Sequence, residues 1–245
     1  MAQQDAGALN ILITGATDGL GLRLAKFYAE RGNFVLATGR QSITDDEAFF
    51  GTDRIRYIVA DQDNPNAAAE TIRLSMTRLG WKSLDLAVLN AATGWSGAPG
   101  DEPSATVEKQ IAVNLTAPIL IARAVAPFLF EAEGQLTLIG STAHRGAPMF
   151  ATYAATKAGL HGFARSLAEE WRGRARVQII HPGPTRTTMH AKAGMKIGMA
   201  RLFFMGPKRA ARAILKSIRS GEKTRTITRA YAWRALFSPS GRGSL

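Results

Sequence analysis

Short apolar runs alternate along this chain with stretches whose apolar residues recur at helical spacing. Leu9–Ile13, apolar except for Asn10, leads through glycine-rich sequence into Leu20, Leu24, Phe27 and Tyr28, one face of a helix. Phe34–Thr38, Ile55–Ala60 and Leu84–Asn90 read as further strands, with a helix over Ala67–Leu79 between the last two. A long helix over Val107–Phe130 precedes a strand at Gln135–Ile139, and a helix over Thr152–Trp171 precedes a strand at Arg176–His181. Pro207 opens a final helix through Arg219, with Ala210, Ala211, Ile214, Leu215 and Ile218 as its buried stripe. Strands apolar on both faces, each followed by a helix, predict an α/β fold: a doubly wound parallel sheet of Rossmann type. Such sheets bind ligands at the C-terminal ends of their strands.

Composition narrows the function classes. At 245 residues and 46% hydrophobic content, the chain is long enough for one sizeable core, so a single domain over residues 1–245 is expected. The absence of cysteine excludes disulfides, thiolate metal sites and cysteine nucleophiles. The N-terminal MAQQDAGALNILITG has no signal-peptide pattern, and no uncharged apolar run approaches the roughly 20 residues of a spanning helix. A cytoplasmic protein is expected. The formal charge of +12 is gathered at one end: residues 192–245 hold 13 basic residues against one acid, Glu222, while residues 1–191 balance to zero.

Between the first strand and helix stands Thr14-Gly15-Ala16-Thr17-Asp18-Gly19-Leu20-Gly21. Glycines here let the backbone turn tightly and approach a pyrophosphate, which the helix N-terminus attracts through its free amides and dipole. A tight turn without a ligand is the alternative. The second strand runs into Arg40, where an acid would favour NAD; its guanidinium suits a 2′-phosphate and points to NADP, with NAD the other possibility. Asp61, ending the third strand, either accepts from an adenine amino group or caps the following helix.

The strand at Gln135–Ile139 delivers Ser141, and Tyr153 follows 12 residues later with Lys157 one helical turn beyond, on the same face. A free tyrosine has a pKa of about 10 and is a poor base at neutral pH. A neighbouring ammonium and a positive nicotinamide ring favour its phenolate. Ser141 is placed to hydrogen-bond a substrate oxygen.

These pieces, in this order, resemble the short-chain dehydrogenase/reductases, in their single-domain branch of roughly 250 residues. The resemblance runs from about residue 9 to 190 and rests on TGATDGLG (14–21), Asp61, VLNAA (88–92), Asn114 in VNLTAP, Ser141, YAATK (153–157) and HPGPTRT (181–187). It implies Tyr153 as general acid/base, Ser141 as the group polarising the carbonyl, and Lys157 as the ribose ligand that lowers the Tyr153 pKa. It implies a water on Asn114 that continues the proton relay. Cofactor contacts are implied at Thr14, Gly15, Thr17, Asp18, Gly19, Leu20, Gly21, Asn90, Ala91, Pro182, Gly183, Thr185 and Thr187. A dimer or tetramer is implied as well. Leu89-Asn90-Ala91-Ala92 keeps one of the family's two asparagines, Asp18 stands where many NADP-dependent members carry a basic residue, and the Ser–Tyr spacing is one residue short of the commonest.

The four histidines, His144, His161, His181 and His190, show no metal-ligand spacing, and no metal is expected. His144 reads as a loop residue. Residues 187–206, rich in methionine and phenylalanine, read either as a substrate-covering lid or as ordinary core. Residues 207–245 form a basic helix and tail ending with Trp233 and Phe237. This is either a solvated face or a contact for an anionic carrier or membrane surface, and no recognition motif accompanies the charge to suggest nucleic acid. The function expected is hydride transfer between NADP(H) and a ketone or secondary alcohol of apolar character. An epimerase or dehydratase with a tightly held cofactor, or a non-catalytic cofactor-binding protein, are the other readings.

Overall fold

The computed structural model describes residues 7–185 and 204–228. Seven parallel strands form one sheet in the order β3-β2-β1-β4-β5-β6-β7. They are β1 (Asn10–Thr14), β2 (Phe34–Gly39), β3 (Ile55–Val59), β4 (Leu86–Leu89), β5 (Gln135–Ile139), β6 (Arg176–Pro182) and β7 (Thr224–Ile227). The order reverses between β1 and β4, so the crossovers leave in opposite directions there and open a crevice beyond the strand ends.

Alternate residues of each strand feed two separate cores. Leu12, Leu36, Ala87, Leu89, Leu136, Leu138 and Ile179 pack with helices α3 (Pro65–Arg78), α5 (Ala117–Glu131) and α6 (Ala151–Glu170). Ile11, Ile13, Val35, Val88, Ile139 and Ile180 face the other way, against α1 (Gly19–Ala29) and α7 (Pro207–Ser220). This two-sided burial is why the strands read as continuous apolar runs. The stretch 104–131 is long and apolar enough to cross a membrane by length and composition alone. Here its Ile121, Val125 and Leu129 are buried against the sheet.

The helix expected over Val107–Phe130 is not one regular helix. It is α4 (Ser104–Ile111), a π-helical segment Ala112–Thr116, and α5. The extra residue per turn is a device found mostly at functional sites, and it carries Asn114. Two elements escaped the apolar pattern: the five-residue α2 (Asp46–Phe50) and the edge strand β7, whose Thr-Arg-Thr-Ile is half-buried and mostly polar.

The C-terminal elements are held to the sheet by buried amides. Gln178 Nε2 donates to the Ser217 carbonyl at 2.8 Å and the Glu222 carbonyl at 2.7 Å. Gln135 Nε2 reaches the Ile218 carbonyl at 3.2 Å. The Ser217 and Ile218 carbonyls also accept from Ser220 Oγ and the Gly221 amide, so the buried amides reinforce the end of α7, while the Glu222 carbonyl beyond it takes its bond from Gln178. Replacing Gln178 with Leu is expected to lower stability by about 1–3 kcal/mol, mainly through the Glu222 carbonyl left without its donor, read as a fall in the urea midpoint. An unchanged midpoint would mean that water supplies the lost bonds.

Candidate active site

The turn between β1 and α1 is built from glycine by necessity. Gly15 and Gly19 have φ of +63° and +56°, a region that side chains disfavour. A Cβ on Gly21 would lie 2.1 Å from the Gly15 carbonyl oxygen, and one on Gly15 would lie 2.9 Å from Ala91 Cα. Asn90 locks this turn to the end of β4. Its Nδ2 donates to the Thr14 and Gly15 carbonyls at 3.1 Å each, and the Asn90 and Ala91 amides donate to Thr14 Oγ1 at 3.0 and 3.1 Å. Helix α1 then starts with neither a side-chain cap nor an acid in its first turn, leaving its N-terminal amides to an anion.

This turn forms one end of a cavity of about 470 Å³ above the strand ends. Of the residues singled out in the sequence, Gly15, Thr17, Asp18, Gly19, Leu20, Arg40, Asp61, Asn90, Ala91, Ser141, Tyr153, Lys157, Pro182, Gly183 and Thr185 line it. Thr14, Gly21 and Asn114 stand behind the wall, and Thr187 lies outside the described residues. Asp61 is not the cap of α3; Asn64 is, its Oδ1 accepting from the Ala67 amide at 3.4 Å. Asp61 instead braces its own turn, accepting from the Asp63 amide at 3.1 Å. Sequence reasoning missed Gln62 and Thr38 beside it, and Lys109, which lines the cavity while paired with Asp63. Gln62 Oε1 and Thr38 Oγ1 are buried polar atoms without a partner among the described residues. The glycine cradle, the cation at Arg40 and these unsatisfied polar atoms fit a dinucleotide lying along this wall.

At the other end, Tyr153 and Lys157 share one face of α6, and both are buried. Lys157 Nζ donates to the Ile139 carbonyl at 3.0 Å and stands 5.7 Å from the centre of the Tyr153 ring. Burial draws the Lys157 ammonium down to about 8. Burial also pushes the Tyr153 phenol up, against the opposing pull of its hydrogen bond with Ser141. The expected lowering of the tyrosine by Lys157 is not seen in the protein alone, where burial prevails and only Ser141 opposes it. Ser141, two residues beyond the end of β5, is extended and caps the turn that follows, its Oγ accepting from the Ala143 amide at 3.1 Å. Asn114 is fully buried, exchanges two bonds of 2.8 Å with the Thr93 backbone and donates to Thr156 Oγ1 at 3.2 Å. Its side chain thus ties the cavity wall at Thr93 to helix α6.

The histidines correct the sequence reading. His144, His161 and His181, far apart in sequence, offer ring nitrogens that all lie within 4.8 Å of one another. The His144 and His181 rings stack at 3.9 Å, 25° from parallel, so their in-plane lone pairs do not converge as ligands of one ion would. Lys157, Arg145 and Arg165 act on the cluster with positive charge, which disfavours a dication. His190 and most of the segment 187–206 lie outside the described residues. On either side of that segment, Thr185 and Met205 form a parallel bridge, with the Met205 amide donating to the Pro184 carbonyl at 2.8 Å.

A family model described as short chain dehydrogenase matches residues 9–197. An Escherichia coli protein described as uncharacterized oxidoreductase YciK is 30% identical over 196 residues, 75% of this chain and 76% of its own length. A human hydroxysteroid 11-beta-dehydrogenase 1-like protein is 30% identical over 167 residues; the match spans 65% of this chain and about half, 52%, of that protein. Among solved structures, a short chain dehydrogenase from Burkholderia cenocepacia in complex with NADP has a TM-score of 0.75 at 28% identity. It covers 90% of this chain and 96% of its own.

The buried Lys157 has a consequence for stability. An unfolded lysine keeps its proton to about 10.5, whereas the folded one gives it up near 8. Between these values the unfolded chain binds more protons, so stability rises with pH. The expected rise runs from pH 8 to about 10, above which buried tyrosines such as Tyr28, pushed up to about 12, begin to act in the opposite sense. Denaturant melts of the protein and of Lys157→Met across this range test it; a rise persisting in the variant would exclude Lys157 as its source.

Proposed function

The chain belongs to the short chain dehydrogenase family, and from that premise we propose that it is an NADPH-dependent reductase of an apolar ketone. The observation that carries this reading is the buried Ser141–Tyr153–Lys157 group at one end of a cavity whose other end is a glycine cradle. The cofactor, when bound, supplies the hydride donor. The protein's own part is to hold the substrate oxygen and deliver a proton to it. Tyr153, with its phenol raised by burial, is protonated at neutral pH and is therefore ready as an acid, the form that reduction needs. Ser141 Oγ would donate a hydrogen bond to the same oxygen, and Lys157 would hold the cofactor ribose.

Arg40 on the cavity wall supports the choice of NADP, as does the NADP held by the Burkholderia relative. An apolar substrate is supported by the lining of the catalytic end, which includes Ala143, Ala147, Phe150, Pro184 and Phe204. The basic C-terminal region supports an anionic carrier for that substrate, or an anionic surface, as partner. The exposed Lys208 and Arg212 of α7 share a cleft with Arg23 and Lys26 of α1. Residues 229–245 of this region lie outside the described residues.

Following NADPH absorbance against a panel of ketones tests the whole reading. Tyr153→Phe is expected to keep cofactor binding while turnover falls by about 10²–10⁴-fold; more than a tenth of the activity remaining would remove Tyr153 from the chemistry. By calorimetry NADPH is expected to bind more tightly than NADH. Arg40→Ala should narrow the gap by about 1.5–3 kcal/mol, the range of a charge-assisted hydrogen bond. Equal affinities in the unmodified protein would make Arg40 a surface residue only.

A further inference from the structure

The three histidines stand behind Ser141, outside the cavity, on three different elements: His144 in the turn after β5, His161 on α6 and His181 on β6. The Ser141 carbonyl already accepts twice from His144, from its backbone amide at 3.1 Å and its Nδ1 at 2.7 Å. That uses both lone pairs. The Ser141 amide has one acceptor among the described residues, His181 Nδ1 at 3.3 Å. His181 Nδ1 also lies 3.1 Å from the Ser141 carbonyl, but a neutral ring nitrogen either donates or accepts. Ser141 is half-buried and its amide has no other acceptor among the described residues, so we assign Nδ1 as the acceptor and the His181 proton to Nε2. That proton points at His161 Nδ1, 3.0 Å away. His161 is then also an acceptor on this side, with its own proton on Nε2.

We propose that His181 positions Ser141, held in its Nε2–H form by a neutral His161, and that protonating His161 reverses these bonds and displaces the catalytic serine. A protonated His161 presents an N–H to the N–H of His181. The His181 proton must then move to Nδ1, where it faces the Ser141 amide and a carbonyl already saturated. The end of β5 is shaped to this ring: a Cβ on Gly140 would lie 2.5 Å from His181 Nδ1. The surroundings keep both histidines neutral. Burial, then His144 and His161, with a smaller contribution from Lys157, draw His181 down to about 4; the nearby Ser141 carbonyl, an acceptor that favours the protonated ring, opposes them. Burial, His144, Arg165 and Arg145 lower His161.

This rests on Ser141 as the group that polarises the carbonyl, so the first test is independent of turnover. Side-chain ¹⁵N NMR of the full-length, histidine-labelled protein at pH 8 is expected to find His181 and His161 protonated on Nε2. The His181 tautomer should change as His161 takes up its proton at lower pH. A His181 proton on Nδ1 at pH 8 overturns the proposal, whether or not the protein reduces ketones. The second test is the pH profile of kcat. His161→Gln supplies an acceptor that does not titrate, so the acid limb is expected to move down toward the His181 value of about 4. An acid limb left in place overturns the proposal. His181→Asn retains an acceptor for the Ser141 amide and should keep most of the kcat that His181→Leu loses. That loss is expected to be on the order of 10²-fold, as for a misplaced catalytic group, with the KM for cofactor little changed. Equal losses in the two variants, or an Asn variant as inactive as the Leu, overturn it; if the Leu variant does not fold, the NMR and the His161→Gln profile still decide.

Discussion

The ligand-binding geometry depends on the join between the ends of β1 and β4. The crossovers part there, so the two strand ends are neighbours in the sheet with no helix above them. Four hydrogen bonds from Thr14 and Asn90 fasten them together. They also satisfy the Thr14 and Gly15 carbonyls through Asn90 Nδ2. The glycine turn is thus shaped from behind by an asparagine, and what remains facing the cavity is the amide end of α1. One residue, Asn90, orients the ends of both strands.

The same economy governs the catalytic end. Lys157 is the largest fully buried side chain among the described residues, and its Nζ donates to a backbone carbonyl of β5. That bond anchors α6 to the strand that carries Ser141, so the lysine sets the distance between the two catalytic elements. Asn114 does the corresponding task from the other side, binding the Thr93 backbone and Thr156 at once. The π-helical segment around it rotates the residues of that turn relative to a regular helix. Three polar side chains (Asn90, Asn114 and Lys157) therefore define the cavity by holding backbone in place.

Elements with strong local signals were legible in the sequence. β5 was read to the residue, and β1, β2, β3, β6, α3, α6 and α7 to within two or so, because strands buried on both faces and one-sided helices leave unmistakable apolar periods. β7 was not legible, since an edge strand needs few apolar residues and its pairing with β6 is a non-local fact. The π segment left no trace either: Ala112–Thr116 is ordinary helical composition, and the wider turn follows from Asn114 reaching across to Thr93. The line of cavity residues from Gly15 to Lys157 was legible from motif order. Gln62, Thr38 and Lys109 were not, as nothing local distinguishes them from surface polar residues. The histidines were invisible for a stronger reason. They lie on three elements brought together only by the β5–β6 pairing and the packing of α6, and spacing along the chain carries no information about that.

The distribution of charge around the cavity explains what chemistry the site favours. Both carboxylates on its wall, Asp18 and Asp61, belong to the cofactor end. The catalytic end has the Lys157 ammonium, the Ser141 hydroxyl and the Tyr153 phenol, all donors, in surroundings from which water is largely removed. Hydride arriving at a carbonyl carbon leaves negative charge on the oxygen, and every polar group at this end is of the sign that stabilises it. A substrate that develops positive charge would meet a lysine already short of counter-charge, its pKa drawn down by burial. The cations behind the wall, Arg145 and Arg165, act on His161 in the same sense. The charge at this end therefore supports the proposed carbonyl reduction, and under that reading the apolar lining beyond it decides which molecule carries the carbonyl.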